Sequence, residues 1–151
     1  MLCPLTTIGC SCFSEAKNFE ETFKEYDAIF TGIALKTDKI AGDWDTSFYK
    51  TEMRVQQVWK NQAVLKFVFI ITNIENNSCG DPAPTIGNRF IVFANVTKEG
   101  LYATGGCSTF MDLEQVKKEL DTVSSDEKVE WETMLTDMWS ALGNPIVVYN
   151  K

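Results

Sequence analysis

From Tyr49 to Trp59 the chain alternates without a break: Tyr49, Thr51, Met53, Val55, Gln57 and Trp59 on one parity, Lys50, Glu52, Arg54 and Gln56 on the other. Period 2 sustained over this length is the mark of a β-strand with one face on a core and the other in water. So long a strand needs partners, and the sequence supplies them. Residues 27–36 carry the β-rich run Ala28-Ile29-Phe30-Thr31-Gly32-Ile33-Ala34-Leu35, with Gly32 placed where a strand coils or bulges. Residues 64–72 are almost continuously apolar, which predicts a strand covered on both faces. Arg89 to Ala94 and Leu101 to Thr104 complete the set as a hairpin around Lys98-Glu99-Gly100. Residues 36–46, the turn Lys60-Asn61-Gln62 and the polar stretch 73–88 with Cys79-Gly80 read as connections.

The period changes at both ends of this β region. Residues 10–25 read as an extended piece and then a helix, with Ser14 as N-cap and Ala16, Phe19, Phe23 and Tyr26 near one face. After Cys107, Asp112 with Gln115 looks like a capping box ahead of Leu113, Val116 and Leu120. Ser124 with Glu127 repeats the signal before Trp131, Met134, Leu135, Met138, Trp139 and Leu142, and Gly143 and Pro145 end the helix. The Trp and Met stripe suits packing onto the sheet better than a free partner-binding face. Residues 146–149 are placed to add an edge strand. The expected fold is mainly β with flanking helices: a five-stranded, closed, OB-fold-like β-barrel, an N-terminal helix and two C-terminal helices.

Composition narrows function. With 151 residues and 44% hydrophobic side chains the chain can close one core, which predicts a single domain. The net charge of −7 repels phosphate backbones and anionic headgroups, so nucleic acid is a poor partner. The longest apolar run, Phe67 to Ile71, is far too short for a membrane span. Histidine is absent, which removes the commonest general base and zinc ligand. No enzyme activity and no cofactor are expected. Ser108 and Thr109 beside Cys107 lack a base to activate them and read as turn residues.

Five cysteines in so small a chain point to an oxidising compartment, the alternative being buried thiols in a reducing one. A four-thiolate zinc site from Cys10, Cys12, Cys79 and Cys107 is the weaker reading, because structural zinc usually takes Cys-x-x-Cys knuckles and none occurs. Residues 1–9 read as a leader remnant or N-terminal extension. Thr7-Ile8-Gly9 suits signal-peptidase cleavage before Cys10, and a fragmentary lipobox ending at Cys10 is the rival. The triplets Asn76-Asn77-Ser78 and Asn95-Val96-Thr97 are N-glycosylation acceptors if the chain passes a eukaryotic secretory route.

Several phrases occur in a telling order: Cys10-Ser11-Cys12, Tyr26 to Gly32, Val58-Trp59-Lys60-Asn61, Cys79-Gly80, Gly87 to Phe93, and Gly106-Cys107-Ser108-Thr109. Over residues 10–120 this order resembles the netrin-like domain of the tissue inhibitors of metalloproteinases and their microbial relatives. The resemblance implies a barrel at 10–110; the helical part at 111–151 is expected to complete a single domain over 10–151, its second helix, 125–142, lying outside the resemblance. The resemblance also implies disulfides Cys10–Cys79 and Cys12–Cys107, with Cys3 left unpaired. In an extended segment residues 10 and 12 point the same way, so both sulfurs could face the barrel.

It further implies a secreted protein with an extracellular protein partner. In the inhibitors, the α-amino group and carbonyl oxygen of the first cysteine chelate the protease's catalytic zinc. Carried over, Cys10 is the zinc ligand, acting in trans and only as the first residue. Ser11 enters the specificity pocket, Cys12 and Phe13 make the next contacts, and Asn76, Asn77 and Ser78 form the neighbouring ridge. Residues 1–9, if retained, block that chemistry by occupying the amine. The alternative implied by the same family is a non-inhibitory extracellular protein-binding module.

Overall fold

The computed structural model describes residues 19–41, 47–61, 63–73, 83–104 and 110–150. In chain order these form α1 (Phe19–Lys24), β1 (Ala28–Ile40), β2 (Phe48–Lys60), β3 (Phe67–Asn73), β4 (Arg89–Val96), β5 (Tyr102–Ala103), β6 (Phe110–Asp112), α2 (Leu113–Leu120), α3 (Ser125–Leu142) and β7 (Val147–Val148). Five strands join in a ring. β1 pairs antiparallel with both β2 and β4, β2 pairs with β3, β3 runs parallel to β5, and β5 returns to β4 as the expected hairpin. The β-rich fold, the ring, the N-terminal helix and the two C-terminal helices are as expected. β7 pairs with β2 as the edge strand expected within residues 146–149, and β6 pairs with β4, adding a strand at residues 110–112 just ahead of the expected helix.

The ring encloses Phe30, Met53, Val55, Val58, Val68, Ile70, Phe90 and Val92, all nearly inaccessible to solvent. Burying each such side chain stabilises the fold by roughly 1.5–3 kcal/mol relative to exposure. Tyr102 meets Phe30 edge to face, with centroids 5.4 Å apart. A second cluster lies outside the ring, where Ile29, Ile91 and Phe93 of β1 and β4 meet Trp131, Met134 and Met138 of α3 and Phe23 of α1. The Trp and Met stripe therefore packs on the sheet, as its spacing suggests.

The caps follow the sequence signals. Asp112 accepts from the amides of Glu114 and Gln115, both at 3.0 Å, and Ser124 accepts from the amide of Glu127. Only half of the first capping box forms, because Gln115 donates its side-chain amide to Glu119 instead. Gly143 ends α3 with φ 66°, a left-handed value that glycine adopts without Cβ strain.

Three expectations are corrected. Residues 36–40, read as loop, continue β1, because Lys36 to Ile40 pair in register with Glu52 to Phe48. The alternation along β2 does not keep one phase: Thr51, Met53 and Val55 face inward, but Val58 is the next buried position. A bulge at Gln56 causes the slip, since Gly32 pairs with Val55 while its neighbour Thr31 pairs with Gln57. Trp59 is thereby turned outward against Trp139 at 5.6 Å. Finally, β3 is not covered on both faces: Val68 and Ile70 are buried, whereas Phe67 and Phe69 are 51% and 43% exposed.

Candidate functional site

Two places in this fold bring chemistry-bearing residues together. The first is the end of the ring where β3 and β5 finish. Ile70 and Ile71 pair in parallel with Tyr102 and Ala103, and the Thr104 amide donates to the Ile71 carbonyl at 3.0 Å. Parallel neighbours end at the same side, so Asn73 and Thr104 deliver the chain there together. β1 and β2 reach that end as well, since Ile40 pairs with Phe48 and Phe48 with Asn73.

Toward this end the ring's lining changes from apolar to hydroxyl-bearing. Thr37 and Thr51 share a hydrogen bond of 2.9 Å, and the Thr104 hydroxyl donates to the Ile71 carbonyl at 3.3 Å. The hydroxyl of Thr72 is fully buried with no hydrogen-bond partner among the described residues. Deeper in, burial pushes the Tyr102 phenol above its ordinary value, and nearby Tyr149 adds to the rise. Tyr149 itself donates from its hydroxyl to the Val64 carbonyl at 2.6 Å.

Cys3, Cys10, Ser11, Cys12, Phe13, Asn76, Asn77, Ser78, Cys79 and Cys107 lie outside the described residues, as do Ser14, Ser108 and Thr109. Of the second glycosylation triplet, Asn95 is described: it is exposed, and its side-chain oxygen accepts from the Asp27 amide at 3.3 Å. Among the described residues, no group of three or more His, Cys, Asp or Glu is placed to hold a metal ion, and no helix is long and apolar enough to cross a membrane.

The second place is the outer face of β2 and β3, which sequence reasoning missed. Residues paired across neighbouring strands share a face. Asp38, Lys50 and Ile71 form one cross-strand row, Lys36, Glu52 and Phe69 the next, and Ile33, Arg54 and Phe67 the third. Leu65, just before β3, is 67% exposed. The Lys50 ammonium sits 4.6 Å from the Phe69 ring centroid, a cation held over an aromatic face. The signal was present in the charges of β2: a strand with a wet face makes the same face of its neighbour wet, whatever that neighbour's own composition.

No protein-family model matches the chain, and no curated protein matches it.

Proposed function

We propose that this chain is a secreted, netrin-like binding module resembling the tissue inhibitors of metalloproteinases. It acts by docking its N-terminal segment on a metalloendopeptidase and performs no catalysis of its own. The observation that supports this reading most is the parallel pairing of β3 with β5. The strand ends at Asn73 and Thr104 start the segments that carry Cys79 and Cys107 from one side of the ring. Disulfides from Cys10 and Cys12 to those cysteines would hold the N-terminal arm at that side, lowering the ordering cost of binding.

In this reading the free α-amine and carbonyl of Cys10 ligate the partner's zinc at its open coordination position, where an attacking water would otherwise sit. Ser11 fills the specificity pocket, Cys12 and Phe13 follow along the cleft, and Asn76, Asn77 and Ser78 lie beside them. The mechanism requires Cys10 to be the first residue of the working protein.

The test is inhibition of a panel of zinc metalloproteinases by protein beginning at Cys10, compared with the same protein acetylated on its α-amine. Acetylation removes the ligating lone pair and leaves the barrel intact. The reading expects inhibition by the free form and loss of at least tenfold, about 1.4 kcal/mol, on acetylation. Equal potency of the two forms would rule out chelation, and no inhibition by either would leave a non-inhibitory extracellular protein-binding module as the account.

A further inference from the structure

The outer face of β2 and β3 carries an apolar strip that nothing else among the described residues covers. Leu65, Phe67 and Phe69 are each more than two-fifths exposed, and Leu35 of β1 adds to them. Isolated exposed apolar side chains are ordinary, but neighbours on one sheet face form a patch of the kind that marks a contact surface. The opposite side of the ring is already occupied, because α1 and α3 cover Ile29, Ile91 and Phe93.

We propose that this face is the contact surface of a symmetric dimer of the chain. A two-fold contact presses a patch against its own copy, so the patch must be complementary to itself. The β2–β3 face meets that condition. Its apolar strip can lie against the same strip, and its charges have both signs: Lys36, Lys50 and Arg54 beside Asp38 and Glu52. With the two-fold axis between the rows, Lys50 of each copy faces Glu52 of the other, and Phe67 and Phe69 bury their rings at the centre.

The distribution of charge over the rest of the chain favours the same face. Between Asp112 and Asp137 nine acidic side chains stand against three lysines, on or beside α2 and α3. Helix α3 lies across the ring from β3, so this contact keeps the acidic helices of two copies apart. At that distance their repulsion is largely screened at physiological salt, where the Debye length is about 8 Å.

The dimer does not depend on the proposed inhibitory role, and its test is separate. Sedimentation equilibrium of the full chain, from low micromolar to near-millimolar concentration, reads the association directly. The proposal expects a monomer–dimer equilibrium that Phe67→Ser with Phe69→Ser abolishes, while the melting curve stays cooperative because both rings are exposed. Lys50→Glu and Glu52→Lys should each weaken the dimer about tenfold or more, by bringing like charges together across the axis. Mixing those two variants should restore pairing, since each then supplies the other's missing partner. A monomer at every concentration overturns the proposal, as does a dimer indifferent to the two phenylalanines or a mixture that pairs no better than its components.

Discussion

The amide of Thr104 donates to the carbonyl of Ile71 at 3.0 Å, in the short stretch where β3 and β5 run parallel. Every other pairing of the ring is antiparallel, and this one joins strands far apart in sequence. It closes the ring, and it brings the ends of two strands to one side. The long run of β1 through Gly32, paired with β2 on one edge and β4 on the other, makes this closure feasible.

Gly32 sets the first prediction. A Cβ built there would sit 3.0 Å from the carbonyl oxygen of Arg54 and 3.4 Å from the Met53 methyl. Alanine would gain roughly 0.5–1 kcal/mol from the smaller entropy of the unfolded chain. The clash is with backbone held in the β1–β2 ladder, which cannot swing aside, and overpacking of this sort costs about 1–3 kcal/mol. Gly32→Ala should therefore lower unfolding stability in urea; an unchanged or raised midpoint would contradict the close approach.

Met138 gives the second. It is fully buried between α3 and the outer surface of β1 and β4, in the cluster with Trp131 and Met134. Met138→Ala should cost about 2–5 kcal/mol, the range for emptying a core site. Val129, on the same helix but 61% exposed, is the control: Val129→Ala should change stability by about 0.5 kcal/mol or less. Equal effects at the two positions would mean that α3 does not pack as described.

Much of this was legible from sequence, and the failures have physical causes. The long strand, the hairpin, the N-caps at Asp112 and Ser124 and the Gly143 stop are local events, set by period, side-chain hydrogen bonds and backbone freedom over a few residues. The bulge at Gln56 is not local: it follows from how β1 coils past β2, and it moves Trp59 to the outside against Trp139, where its indole donates to the Gly143 carbonyl at 2.9 Å. The open face of β3 was hidden because Phe67 and Phe69 look like core residues until β2, with Lys50, Glu52 and Arg54, is placed beside them. Strand at residues 36–40 was missed for a similar reason, since Lys36, Asp38 and Lys39 face water and gain their structure from pairing with β2.

Tyr102 yields a pH prediction. Burial raises its phenol above the ordinary value of 10.0, with Tyr149 adding to the shift. A folded-state pKa above the unfolded one means that stability is complete below about pH 10 and falls as pH rises through the folded value. Urea unfolding measured from pH 8 to above pH 11 should show wild-type stability declining more steeply at the alkaline end than that of Tyr102→Phe. Parallel declines would remove Tyr102 as a source of alkaline lability.

The disulfides implied by the netrin-like resemblance predict a large redox effect. Closing loops of the lengths between Cys10 and Cys79 and between Cys12 and Cys107 should stabilise by roughly 4 kcal/mol each in the chain-entropy model. Cys79→Ser and Cys107→Ser should each lower the melting temperature of the non-reduced protein and have little effect once reductant is present. Identical melting curves with and without reductant would contradict the pairing.

The central claim, that a disulfide-clamped segment beginning at Cys10 docks on a metalloprotease, is tested most directly by intact mass and N-terminal sequencing of protein from its native source, with and without reductant. The account predicts a chain beginning at Cys10 that gains about four mass units on reduction, as two disulfides require. A chain that keeps residues before Cys10, or gains no mass on reduction, would contradict it.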